Sequence, residues 1–173
     1  MTMTADTPSS LPASSPWLRV GLIVLSGVIL LDAVPSFPAA FSDHGYTDRL
    51  VVFAQRVMNV KLALAPFIAG AALLFTIRNK ITHAIVALAT LMLLGWLTDL
   101  PDFAIDGMKL GGGSYALVVA AQRFLYPLLA VSAMALALRN ERLVTAAVLT
   151  AIPTIVNWFG VLIFTISVIR YGF

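Results

Sequence analysis

From Leu143 to Ile169 the chain carries no Asp, Glu, Lys, Arg or His. Wound as an α-helix at about 1.5 Å per residue, that run is about 40 Å long, more than the roughly 30 Å hydrocarbon core of a bilayer. In lipid every backbone N–H and C=O must be paired internally, and a helix does this within a single segment. Four earlier stretches read the same way, each interrupted by at most two charges: Trp17 to Val34, Met58 to Ile77, Ile81 to Thr98 and Tyr115 to Leu138. The second has an amphipathic lead-in from about Thr47 that carries Arg49, Gln55 and Arg56. The chain as a whole is 60% hydrophobic and 11% charged, whereas about a quarter of a soluble domain is charged. The fold class read from these runs is an all-α integral membrane protein with five transmembrane helices, spans of about 17–34, 47–77, 81–98, 115–138 and 143–169.

Residues 1–16 are rich in Ser, Thr and Pro and have no apolar periodicity, which predicts a disordered tail ahead of a single helical domain over 17–173. The first span has a second reading as a cleaved signal peptide, since Phe37-Pro38-Ala39-Ala40 offers small residues after an apolar run. Against it, Arg19 is the one positive residue at its head, and the repeat described below includes this span. The connections at Arg78-Asn79-Lys80 and Arg139-Asn140-Glu141-Arg142 are basic, whereas the others carry Asp43, His44, Asp48 and Arg49, or Asp99, Asp102, Asp106 and Lys109. Positive loops stay in the cytoplasm. The expectation is a multi-pass protein of a cell membrane, of the bacterial inner-membrane kind, with its N-terminus cytoplasmic and its C-terminus outside.

A short motif is written twice. Leu-Val-Val-Phe-Ala-Gln-Arg at 50–56 returns as Leu-Val-Val-Ala-Ala-Gln-Arg at 117–123, six of seven positions being identical, and the two copies hold the chain's only glutamines, Gln55 and Gln122. The offset from Arg56 to Arg123 is 67 residues, and the same offset carries Asp32 to Asp99. Each of these Asp residues is followed by a proline, Pro35 or Pro101, and then a phenylalanine, Phe37 or Phe103. This pattern predicts two hairpins, spans one and two and spans three and four, that run in the same direction as a parallel repeat, with the fifth helix unmatched. Gln55 and Asn59, like Gln122 and Tyr126, lie four residues apart and so share a helix face. They read either as interhelical hydrogen-bonding groups or as cavity lining.

Counted at about 1.5 Å per residue from the basic-loop end, Asp32, Lys61, Arg123 and Asn157 all lie about 21 to 24 Å along their spans. This is the candidate intramembrane polar cluster. Charges at such a depth face the bundle interior and pair, so Asp32 is expected to meet Arg123 or Lys61. The layer then either fixes how helices dock or forms the floor of an outward-facing cavity. Pro153 ahead of Asn157 predicts a kink in the fifth helix.

Other chemistry is poorly provided for. With no cysteine, thiol chemistry and Cys-ligated metal are unavailable. His44 and His83 fall at opposite ends of the spans and cannot share a metal. Asp99, Asp102 and Asp106 supply hard oxygen ligands but are read as a solvated acidic loop. Gly111-Gly112-Gly113-Ser114 lacks the phosphate-loop frame and is read as a loop with Ser114 capping the next helix. No nucleophile stands beside a base, so no enzyme activity, cofactor or metal is expected, and a net charge of +3 from 11 Lys and Arg against 8 Asp and Glu is too dispersed for nucleic acid. The expected partners are the lipid bilayer and other membrane subunits or further copies of the chain. Packing would run through small-residue faces such as Ala116 with Ala120, Ala133 with Ala137 and Ala147 with Ala151. Two functions compete: an accessory, assembly or scaffolding subunit, and a component of a small oligomeric transporter or channel.

Overall fold

The computed structural model describes residues 15–42, 45, 48–106 and 113–172, with side chains described outside 102–120. Most of the expected tail over 1–16 lies outside the described residues, as do His44 and the side chains of Asp102, Asp106, Ala116 and Ala120. Among the described residues the structure is all-helical. It comprises α1 Pro16–Ser36, a 3-10 helix Phe37–Phe41, α2 Arg49–Ile77, α3 Ile81–Asp106, α4 Gly113–Leu138 and α5 Leu143–Tyr171. Five of these helices are long and apolar enough to cross a membrane, which is compatible with a multi-pass membrane protein.

The ends differ from expectation where proline and capping chemistry intervene. The span expected to end at Thr98 continues through Pro101 to Asp106, and α1 runs past Pro35 to Ser36. Pro at such a position removes one backbone hydrogen bond without stopping the helix. Each of the five helices in fact contains one internal proline: Pro35, Pro66, Pro101, Pro127 and Pro153. α2 starts at Arg49 rather than Thr47 because Asp48 caps it, its Oδ1 accepting from the N–H groups of Leu50 at 2.8 Å and Val51 at 3.4 Å. α4 starts at Gly113, which places Ser114 inside its first turn instead of ahead of it.

The two basic turns are built alike. After α2, Asn79 takes the left-handed conformation at φ 60°, its N–H donates to Thr76 O, and the N–H of Lys80 reaches back to Phe75 O at 2.7 Å. After α4, Asn140 does the same at φ 56°, with its N–H on Ala137 O and that of Glu141 on Leu136 O at 3.0 Å. Both are Schellman endings with Asn in the position that glycine usually takes. Side chains tie this end together, Arg19 donating to Ile77 O at 2.6 Å and Thr82 to Asn140 Oδ1 at 3.4 Å.

Each helix packs on its neighbours in sequence, and α3 also touches α5 and α1, while α5 closes against α1. The core sits toward the basic-turn end, where Leu22 and Leu25 of α1, Ala72 of α2, and Ile81, Ile85 and Leu88 of α3 meet Ala130, Ala133 and Ala137 of α4 and Ala146 of α5. Alanine on α4 and α5 lets the backbones approach the larger α3 side chains closely. The buried hydroxyls of Thr76 and Thr150 donate to carbonyls of their own helices, Ala72 O and Ala147 O, both at 2.8 Å. The Ser26 hydroxyl on α1 is buried without a partner among the described residues.

Toward the opposite end the packing thins. From Ile155 to Ile166 every residue of α5 is exposed, and of α2 the buried residues Ala69, Ala72 and Thr76 all lie in its last third.

Candidate functional site

Of the residues singled out for function, one group is brought together. The 3-10 helix runs back along α2 toward its start, with Phe37 edge-on against Phe67 in the second half of α2 at 5.9 Å and against Phe41 of its own turn at 5.3 Å. Gln55 fastens its end by donating from Nε2 to Ser42 O at 3.0 Å. Between the 3-10 helix and α2 lies a cavity of about 440 Å³ whose lining includes Phe41, Ser42, Val52, Gln55, Arg56 and Asn59. Three of these, Gln55, Arg56 and Asn59, are the polar residues of the first motif copy. The Arg56 guanidinium and the Asn59 amide have no hydrogen-bond or ion-pair partner among the described residues, so the cavity presents a cation and an amide within a lining of mixed polarity.

The four residues of equal height are not brought together. Asp32 is exposed on α1, and its carboxylate has no partner among the described residues, its carbonyl alone accepting from Ser36 Oγ at 3.1 Å. Lys61 is half-buried on α2 and Asn157 exposed on α5, both without a side-chain partner among the described residues. Arg123 is half-buried on α4 and engaged within the chain. For Asp32 and Arg123 the reason is topological. Among the described residues α1 does not pack on α4, nor α2 on α4 or α5, so the expected pairing of Asp32 with Arg123 has no helix contact to carry it. The small-residue faces also have another use than the expected one. Ala133, Ala137 and Ala147 are buried in the core of the chain itself, and Ala151 packs against it.

In the second motif copy Gln122 and Tyr126 are half-buried on α4, and Asp99 is half-buried and engaged within the chain. His83 is exposed, its ring 5.4 Å from that of Phe75 at the basic-turn end. Phe41 and Ser42 carry no expectation from the sequence, in which Phe37 belongs to the repeated Asp-Pro-Phe pattern and Phe37-Pro38-Ala39-Ala40 has a second reading as a cleavage site. Pro38 in the first turn of the 3-10 helix, flanked by two aromatic rings, is the signal that could have revealed a folded cover.

Comparison with family models, curated proteins and solved structures returns no match.

The geometry alone therefore carries the functional reading. A guanidinium has five N–H donors and no acceptor and stays protonated at any physiological pH. An amide adds two donors and one acceptor. A cavity with this lining suits an anion or a polar head group and offers no nucleophile and base in contact.

Proposed function

We propose that this chain is a multi-pass membrane protein acting as an accessory, assembly or scaffolding subunit of a membrane complex. Its N-terminus and both basic turns lie in the cytoplasm of a bacterial cell, with α1–α2 and α3–α4 descending from one duplicated hairpin. The observation that carries the reading is the set of three polar groups, on Asp32, Lys61 and Asn157, that stand at one height on three helices and find no partner among the described residues. An ionised side chain at the middle of a bilayer costs about 2.5 to 3.5 kcal/mol on insertion scales and less toward the interface. Helices of a neighbouring subunit that offer matching groups at that height remove the cost. The exposed half of α5 gives such a neighbour an unobstructed approach.

The test is the size of the particle extracted from native membranes in lipid nanodiscs. More than one chain per particle is expected, together with dissociation in the variants Asp32→Ala and Asn157→Leu. A particle holding one chain alone, unchanged in mass by either substitution, sinks the proposal.

A second reading, a component of a small oligomeric transporter, is favoured by the polar cavity at the start of α2. The lining of that cavity includes Arg56 and Asn59 and leaves out Asp32. It thus stops short of the layer that a transport path would have to cross, and the subunit reading is preferred.

A further inference from the structure

We propose that the cavity between the 3-10 helix Phe37–Phe41 and the start of α2 binds a phosphate-bearing anion, with Arg56 as its principal donor and Asn59 as its second. The proposal does not depend on what the chain assembles with.

Three observations converge on it. The first is donor geometry. Arg56 and Asn59 are three residues apart, so they share one face of α2, and both line the cavity. A guanidinium presents paired N–H groups whose spacing matches two oxygens of a phosphate, which a point charge such as ammonium does not reproduce. The second is the absence of competition. No carboxylate accepts from Arg56 among the described residues. The nearest described acidic residue in sequence, Asp48, spends its carboxylate on the N–H groups of Leu50 and Val51. Gln55 is likewise committed, holding Ser42 and with it the cover of the cavity.

The third is position. Arg56 lies 21 residues before Ile77, about 31 Å along α2 from the basic-turn end. A bilayer whose hydrocarbon core is about 30 Å thick would place it at the level of the lipid phosphates. The lining also includes Ala40, Phe41 and Val52, whose apolar side chains suit the glycerol carbons next to such a phosphate, beside Ser42 and Gly45. At about 440 Å³ the space falls within the usual range of small-ligand pockets, about 300 to 1,000 Å³. Arg56 is itself exposed, but the groove beside it has a fixed far wall, the 3-10 helix held along α2 by Phe37 against Phe67 and by Gln55 on Ser42 O.

The phosphate has two possible sources, a phospholipid head group and the free ion. The experiment follows thermal unfolding of the purified full chain in detergent while phosphatidylglycerol, phosphatidylcholine or inorganic phosphate is titrated. Stabilisation by phosphatidylglycerol beyond that by phosphatidylcholine identifies a lipid. Stabilisation by inorganic phosphate alone identifies the free ion. In either case Arg56→Gln should weaken the response roughly tenfold or more, the range expected for a lost charge-assisted hydrogen bond. Arg56→Lys should restore part of it, and Asn59→Ala should weaken it less. Arg170→Gln, an exposed cation stacked on Tyr171 in the last turn of α5, should change nothing. Because Arg56 is exposed, the unliganded melting point of its variants should stay at the wild-type value, which shows that they fold. Equal responses from wild type and Arg56→Gln, or no response to any of the three probes, overturn the proposal.

Discussion

Two asparagines do the work of glycine at the basic turns. Asn79 at φ 60° and Asn140 at φ 56° each close a helix and release the chain into the next one. Left-handed backbone costs a residue with a Cβ about 1 to 2 kcal/mol, a cost that Asn offsets in part through local hydrogen bonding by its short polar side chain. Asn79→Ala and Asn140→Ala should therefore each destabilise the protein by about 1 kcal/mol, while the glycine variants should lose less than alanine at both positions, giving up at Asn140 only the long bond from Thr82. Thermal unfolding in detergent measures both, and equal melting points for Ala and Gly at either site would show that the turn is not under this constraint. At this scale the sequence was only partly legible. The motif residues Gln55, Arg56 and Asn59 could be singled out because glutamine is so rare in the chain. That they line a cavity could not, since its other wall is the 3-10 helix, and nothing in Phe-Pro-Ala-Ala-Phe fixes how far it folds back until Phe67, 30 residues downstream of Phe37, supplies the ring that receives it.

Helices were the most legible elements, because a charge-free run of spanning length admits little else, and the misjudged ends lie where local chemistry outweighs hydropathy. The third span, expected to end at Thr98, continues to Asp106, with Pro101 buried inside α3. The repeat also changes character when seen as elements. The motif copies are 67 residues apart, but the two Schellman turns that close α2 and α4 are 61 apart, from Asn79 to Asn140. α2 therefore carries six more residues than α4 between motif and turn, which accounts for the different heights of Arg56 and Arg123. Within the elements, burial is sharply graded. Ala133 of α4 is completely buried against the core, whereas Val161 of α5 is exposed. Ala133→Leu should overpack that contact and cost about 1 to 3 kcal/mol, and Val161→Leu should stay within about 0.5 kcal/mol of wild type. Unfolding in a detergent series compares them. If Val161→Leu proved the more damaging, α5 would be packed along its whole length and the gradient would be an error.

At the scale of the whole molecule, one end of the bundle is tied and, among the described residues, the other is more loosely packed. The tied end holds the core, both Schellman turns and the bridge from Arg19 to the end of α2. The same end collects Arg78, Lys80, Arg139 and Arg142 against a single Glu141, while Asp43, Asp48, Asp99, Asp102 and Asp106 fall in or beside the connections at the other. Lys and Arg in short connections are retained on the cytoplasmic side during insertion, and acidic residues contribute little to that choice. The tied end is therefore expected inside. Arg49, Arg56, Lys109 and Arg170 pull the other way, but they are scattered over the far end, whereas Arg78, Lys80, Arg139 and Arg142 sit within two short turns with Arg19 beside them. Reporter domains that are active on one side of the membrane should place Asn79 in the cytoplasm and Gly112, between α3 and α4, outside. Replacing Arg78, Lys80, Arg139 and Arg142 together by glutamine should mix the two orientations, because the bias resides in those four side chains. A reporter at Gly112 found in the cytoplasm would reverse the molecule, moving the cavity at Arg56 to the inner leaflet and leaving the positive turns outside, against the charge bias.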